Sequence, residues 1–256
     1  MSPHPPPRVP PRRSVASLFR QLALGWLVGN LLNQAPAQAG ITAEAMAQTV
    51  KQQRDSVLFF GGAIKYRCGR CSNDHDLRVL STAVVVDRTG LFLASQLGPL
   101  LDPKSEVRES HLHVVAADGV EVPVRLTVTD NELGVLVLSL EKPEDAQTHA
   151  FAPLTLDAPP AARLLDELVV LRRFDQRVGY AVQAFTVRVN AIEERPRRTY
   201  FSPDFPQQEL TMAPGFNATG QLVGLYTGGE NLLAADEFAE LVGQALRKQN
   251  RDTQKP

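Results

Sequence analysis

Three absences narrow the function of this chain of 256 residues. The formal net charge is only −1, and the one short basic cluster, at 195–198, lacks the interleaved aromatic residues that stack on bases, so no nucleic-acid partner is indicated. After residue 39, no apolar run approaches the roughly 20 residues that a membrane-spanning helix needs. No Gly-x-Ser-x-Gly sequence occurs, the turn that presents the nucleophile of α/β-hydrolases. The basic cluster is most simply an exposed loop.

The first 39 residues are typical of an export signal. They carry four arginines and no acidic residue, with an apolar run at 22–32 and the small residues of Ala37-Gln38-Ala39 before Gly40. The apolar run is shorter than a spanning helix, so we expect cleavage before Gly40, with an uncleaved anchor or a disordered leader as the alternatives. We therefore expect an exported protein, periplasmic or secreted, that has no contact with the membrane once the signal is removed.

Short β-branched segments fill most of the remaining chain. They lie at 83–86, 91–94, 112–116, 122–129, 135–140, 168–172, 181–192 and 222–226. Thr89-Gly90, Asp118-Gly119 and Thr219-Gly220 predict tight turns between them. Regular short strands of this kind favour an all-β barrel or sandwich. Helical spacing of apolar residues predicts helices at 42–54 and 235–248, and a Pro- and Ala-rich stretch at 141–162 predicts a linker between two halves.

Residues 81–97 predict a strand, a tight turn and a second strand, and they resemble the first-barrel hairpin of trypsin-like serine proteases of the bacterial Do/HtrA type. In that family the second strand ends in Thr-Asn-x-His-Val-Val, whose His is the general base. Further similar segments follow in the family's order at 118–124, 129–136, 166–174 and 217–225. The resemblance covers about 45–246, and it implies an all-β fold of two six-stranded antiparallel barrels with a C-terminal helix packed across them.

The resemblance also implies domain boundaries. The signal peptide would occupy 1–39, the trypsin-like domain 40–250 and a short tail 251–256. Within the domain, the first barrel would span about 55–142, the linker about 143–162, the second barrel about 163–230 and the helix about 235–248.

Carried over residue by residue, the catalytic positions hold unsuitable side chains. Leu97 stands at the general base and cannot accept a proton, while Glu132 stands at the orienting carboxylate. Thr211 stands at the nucleophilic serine and is a poor nucleophile without a base. Glu209 and Met212 replace glycines of the oxyanion turn, which needs open backbone geometry and bare N–H groups. The resemblance thus implies a degenerate triad, with no catalytic residue, no cofactor and no metal.

The function expected from this pattern is a non-catalytic homologue that binds a protein or peptide at the former substrate cleft, as a binding or regulatory module. The enzyme alternative is an active peptidase with a Thr nucleophile or with a displaced base. His111 and His113 are the candidate bases, because they alternate on one predicted strand and share a face.

Cys68 and Cys71 are the only cysteines, and the polar run after them predicts a surface hairpin loop. In an exported chain a lone close pair is most simply a small disulfide. Two alternatives stay open. One is a redox dithiol, and the other is a metal site formed by Cys68, Cys71, His75 and either Asp74 or Asp76.

Overall fold

The computed structural model describes residues 40–71, 73–95, 104–156, 159–202, 212–228 and 230–253. The predicted export signal at 1–39 lies outside them. Helix α1 (Ala43–Gln53) opens the described chain, and Thr42 caps it because its Oγ1 accepts a hydrogen bond from the Ala45 N–H at 3.2 Å. Among the described residues, no helix has the length and apolar character needed to cross a membrane.

Six antiparallel strands form the first half of the fold. They are β1 (Val57–Arg67), β2 (Asp74–Asp87), β3 (Leu91–Ser95), β4 (Glu106–Val115), β5 (Glu121–Asp130) and β6 (Val135–Leu140). They close into a barrel in the order β1-β2-β3-β6-β5-β4. The predicted Thr89-Gly90 turn joins β2 to β3. Gly90 has a φ of +83°, and an added Cβ there would lie 2.3 Å from a methyl carbon of Leu140, so only glycine fits.

The second half is a sheet of seven strands. They are β7 (Glu167–Arg173), β8 (Val182–Arg188), β9 (Ala191–Glu193), β10 (Thr199–Phe201), β11 (Pro214–Phe216), β12 (Leu222–Gly228) and β13 (Asn231–Ala234). Their order is β8-β7-β11-β12-β13-β10-β9. The sheet curls without a closing strand pair in the described residues, where a closed six-stranded barrel was predicted. The predicted all-β, two-half class is nevertheless confirmed.

Two further helices lie after β6 and after β13. The short α2 (Asp145–Thr148) lies in the segment between the halves, and α3 (Ala239–Thr253) follows β13 through a 3₁₀ turn at Ala235–Phe238. The predicted C-terminal helix is therefore present. The apolar residues that suggested it, Phe238, Leu241, Val242 and Ala245, are all buried.

One hydrophobic cluster joins the two halves, and we call it the shared core. Strands β3 and β6 are buried on both faces because alternate side chains point to opposite sides of a strand. Leu91, Leu93, Val135 and Val137 belong to the shared core, whereas Phe92, Ala94, Leu136 and Leu138 fill the barrel interior. On the other side, β7 contributes Val169 and Leu171 to the shared core. Strand β3, which precedes the position of Leu97, and strand β6, which follows the Glu132 turn, are thus buried along their whole length.

Burial of Tyr226, a fully buried residue of β12, predicts a weakness in alkali. Burial raises the pKa of Tyr226 to about 12. An unfolded tyrosine titrates near a pKa of about 10, so above that pH the unfolded chain releases a proton that the folded chain keeps. The free energy of unfolding therefore falls as the pH rises from about 10 to about 12, by on the order of 2–3 kcal/mol for this residue.

Tyr226→Phe should flatten that decline, as measured by urea unfolding between about pH 8 and pH 11.5. The matched control is Tyr66→Phe, at a half-buried position near the end of β1. If Tyr226→Phe kept the full alkaline loss of stability, burial of this hydroxyl would not be its cause.

Candidate functional site

Glu132, expected at the position of the orienting carboxylate, lies in the turn between β5 and β6. Asp130 shapes that turn, since its Oδ1 accepts the N–H groups of Glu132 and Leu133, both at 2.9 Å. The turn directs Glu132 outward, and its side chain is 85% exposed. Its Oε2 lies 3.0 Å from an Nη2 of Arg197, in the loop between β9 and β10. The carboxylate therefore forms an ion pair between the two halves of the fold.

This arrangement differs from that of a working triad. There the carboxylate is buried and accepts a hydrogen bond from the histidine that acts as the base. A guanidinium stays protonated at every relevant pH, so Arg197 cannot take a proton from a nucleophile. Glu132 and Arg197 thus form an ion pair in which the carboxylate is largely exposed to solvent.

Met212, expected in the oxyanion turn, is the first described residue after the gap at 203–211. Its φ is +62°, in the left-handed region that glycine adopts most easily. The Met212 N–H donates to the Tyr226 carbonyl at 2.6 Å, and the Tyr226 N–H donates to the Ala213 carbonyl at 3.0 Å. The Met212 side chain is fully buried in the shared core. The backbone thus keeps a glycine-like conformation while the side chain serves packing.

Leu97, Glu209 and Thr211 lie outside the described residues, so the convergence of Leu97, Glu132 and Thr211 stays a prediction. The register between β3 and β6 concerns the expected approach of Leu97 to Glu132. Ser95, the last residue of β3, pairs with Val135, the first residue of β6. The end of β3 is therefore next to the start of β6, close in sequence to the Glu132 turn.

The four described histidines have partners away from Glu132. His111 Nε2 is 2.7 Å from a carboxylate oxygen of Glu109, and its side chain is 76% exposed. His113 Nε2 is 4.0 Å from Glu121 Oε1. His149 Nδ1 is 2.8 Å from Asp118 Oδ2. The fourth, His75, lies 3.1 Å from the Cys71 sulfur. The structure brings none of these four rings into contact with Glu132.

Two hydrogen bonds lower the pKa of Asp118. The Val120 N–H, and after it the His149 ring, hold the pKa of Asp118 below its ordinary value. Asp118 lies in the predicted Asp118-Gly119 turn between β4 and β5, where the Gly119 N–H donates to the Ala116 carbonyl at 2.9 Å. The pair anchors the linker to this turn.

Cys68 and Cys71 lie at the tip of the β1–β2 hairpin, as the sequence predicted. Cys71 is exposed, Cys68 is partly buried, and both are thiols in the structure. The disulfide expected between them stays a prediction. His75, named from the sequence only in the metal alternative, is brought beside Cys71.

Comparison with known proteins supports the fold. The chain is similar to the serine endoprotease from Yersinia pestis, with a TM-score of 0.56 and 13% sequence identity over 79% of this chain. The chain spans 66% of the length of that protein, just under two thirds. No protein-family model matches the sequence, and no curated protein matches it either. At this low identity the likeness shows the fold alone, which is that of a trypsin-like serine endoprotease domain.

A pair of substitutions at Met212 tests its backbone conformation. Removal of this buried side chain lowers the free energy of unfolding by about 2–5 kcal/mol. Relief of the left-handed backbone raises it by only roughly 1–2 kcal/mol. Both Met212→Gly and Met212→Ala should therefore destabilise the protein. Met212→Ala should be the less stable variant by roughly 1 kcal/mol, because only glycine relieves the positive φ. The reverse order in urea unfolding would contradict the left-handed conformation.

A double-mutant cycle tests the Glu132–Arg197 pair. We expect Glu132→Gln and Arg197→Gln to show a coupling of about 0.2–1 kcal/mol, since the carboxylate is largely solvated. Chemical unfolding of the two single variants and the double variant measures it. A coupling of about 3 kcal/mol or more would show a buried, structurally essential pair instead.

Proposed function

We propose that this chain is a catalytically degenerate homologue of trypsin-like serine proteases that acts outside the cytoplasm as a binding or regulatory module. The fold supports the family likeness, and the predicted signal at 1–39 supports export. A fold hosts many functions, so the proposal depends on the site residues.

One observation carries the proposal: the Glu132 carboxylate pairs with Arg197 at 3.0 Å. In a serine protease this position fixes the tautomer and orientation of the histidine. A solvated glutamate held by an arginine serves neither purpose. The sequence agrees, because Leu97 occupies the position of the base.

The contacts of the histidines argue against a displaced base. His111 and His113, the candidates for that role, face Glu109 and Glu121 on the β4 and β5 strands. A general base must reach the proton it removes, within about 3 Å or through one water molecule. Neither contact directs its ring toward the Glu132 turn.

The partner we propose is an extended protein or peptide segment at the former substrate cleft. Strands β3 and β6, whose ends lie next to each other near the Glu132 turn, are buried throughout. A rigid frame of this kind suits binding without turnover, because the strands need no reordering when the partner arrives.

Activity measurements test the proposal directly. The purified chain should not react with a fluorophosphonate probe, and it should cleave neither peptide nor ester substrates above the buffer rate. Base and nucleophile act as one unit, so loss of the base alone removes most of the rate. Leu97→His should stay inactive, because Glu209 adds negative charge to the oxyanion turn.

The control is Thr211→Ala. If the unaltered chain labelled with the probe or turned over substrate and Thr211→Ala did not, the protein would be an active peptidase. Binding is tested separately with an array of random decapeptides. Peptides retained by the chain should be kept with Thr211→Ala. They should be lost with Thr211→Arg, because the resemblance assigns this position to the cleft and a long charged side chain would block it. If the Thr211→Arg variant still retained the peptides, the binding surface would lie elsewhere on the protein.

A further inference from the structure

The tip of the β1–β2 hairpin gathers three side chains that bind metals. Cys68 follows β1, Cys71 lies in the turn, and His75 belongs to β2. Their ligand atoms, two sulfurs and one ring nitrogen, all lie within 4.8 Å of one another. In the part of the chain that the structure describes, this is the one cluster of three or more cysteine, histidine or acidic residues with such spacing.

The hairpin holds these groups in place through its own contacts. The Cys68 N–H donates to the Asn73 carbonyl at 2.8 Å, which closes the turn beyond the last strand pair, Arg67 and Asp74. The His75 ring stacks on Tyr66, its cross-strand partner, with 5.5 Å between ring centroids and 25° between ring planes. Ligands whose backbone and ring orientation are already fixed lose little freedom when an ion binds.

The turn also packs against the chain that leads into β4. The Gly69 N–H donates to Ser105 Oγ at 3.3 Å. An added Cβ at Gly69 would lie 2.3 Å from the Lys104 Cβ and 2.6 Å from its carbonyl carbon. Only glycine at position 69 permits this close approach. The contact with Asn73 on one side and the contacts with Lys104 and Ser105 on the other therefore restrain the backbone at Cys68 and Gly69.

A backbone donor points at the first sulfur. The Cys71 N–H donates to Cys68 Sγ at 3.3 Å. The loop therefore provides both the ligands and a stabilising contact for one of them.

We infer that Cys68, Cys71 and His75 form a site for a thiophilic cation, and that Zn²⁺ is the ion that this mixed sulfur and nitrogen set fits best. In a tetrahedral zinc site, sulfur at roughly 2.3 Å and nitrogen at roughly 2.0 Å from the ion lie about 3.6 Å apart. Cys71 Sγ and His75 Nε2 are 3.1 Å apart, so a small side-chain adjustment suffices. Cys71 and His75 are exposed, and the fourth position is therefore open to water.

This site competes with the disulfide expected from the sequence. A disulfide would use two of the three groups and leave His75 without a role, whereas the ion uses all three. The two states exclude each other, because zinc binds reduced thiolates and its binding releases the thiol protons to solvent. The redox state of the pair therefore decides whether the ion binds.

Cobalt titration of the full chain tests the inference. The protein is reduced, the reductant is removed, and Co²⁺ is added as a spectroscopic probe. One equivalent should bind with sulfur-to-cobalt charge-transfer absorption and the visible bands of a tetrahedral site, and Zn²⁺ should displace it. Cys68→Ser and Cys71→Ser should each abolish the charge-transfer signal. His75→Asn should weaken the affinity by at least about tenfold.

His111→Asn is the matched control, since His111 is an exposed histidine on the neighbouring β4 strand that pairs with Glu109. It should bind cobalt as the unaltered chain does, and circular dichroism should show that every variant is folded. The inference is overturned if a chain with two titratable thiols gives no cobalt signal. It is overturned equally if metal binding persists in Cys68→Ser and Cys71→Ser, which would place the ion elsewhere.

Discussion

The shared core between the two halves is the constraint on which the rest of the structure depends. Strands β3 and β6 from the first half and β7 from the second are buried on both faces. Each fully buried apolar side chain contributes about 1.5–3 kcal/mol, whereas an exposed ion pair such as Glu132–Arg197 contributes about 1 kcal/mol or less. The apolar contacts therefore set how the halves meet, and the ion pair follows from that arrangement.

Arg173, at the end of β7, reinforces the same boundary with polar contacts. Its guanidinium donates to the carbonyls of Val57, Tyr180 and Arg54, at 2.7, 3.0 and 2.7 Å. Burial lowers the pKa of Arg173, and the three carbonyl acceptors compensate the charged group for the water it has lost. The core and this contact together hold the two halves in place. Met212, at a position where the resemblance predicts glycine, adds a buried side chain to the shared core.

Several parts of the fold and of the site were predictable from local sequence. The Thr89-Gly90 turn, the helix at 42–54 and the buried face of α3 each depend on neighbouring residues, and the structure has all three. The lack of a closing strand pair among the described residues of the second sheet was not predictable, because closure depends on pairing between strands that are distant in sequence. The contact between Glu132 and Arg197 was not predictable from the sequence for the same reason. Arg197 lies 65 residues away in a basic cluster that sequence alone indicated only as an exposed loop.

By itself, the sequence determined the all-β class and the two halves, because strand period, turn chemistry and linker composition are local properties. The assignment of Leu97 and Thr211 to catalytic positions came from the family resemblance and stays a prediction. Only the tertiary structure decided which side chains meet. It paired Glu132 with Arg197 across the halves, and it placed His75 beside Cys71 through the register of β1 and β2. A shift of one residue in that register would turn His75 to the other face of the hairpin, so the cluster depends on the pairing of β1 with β2 and on the turn that joins them.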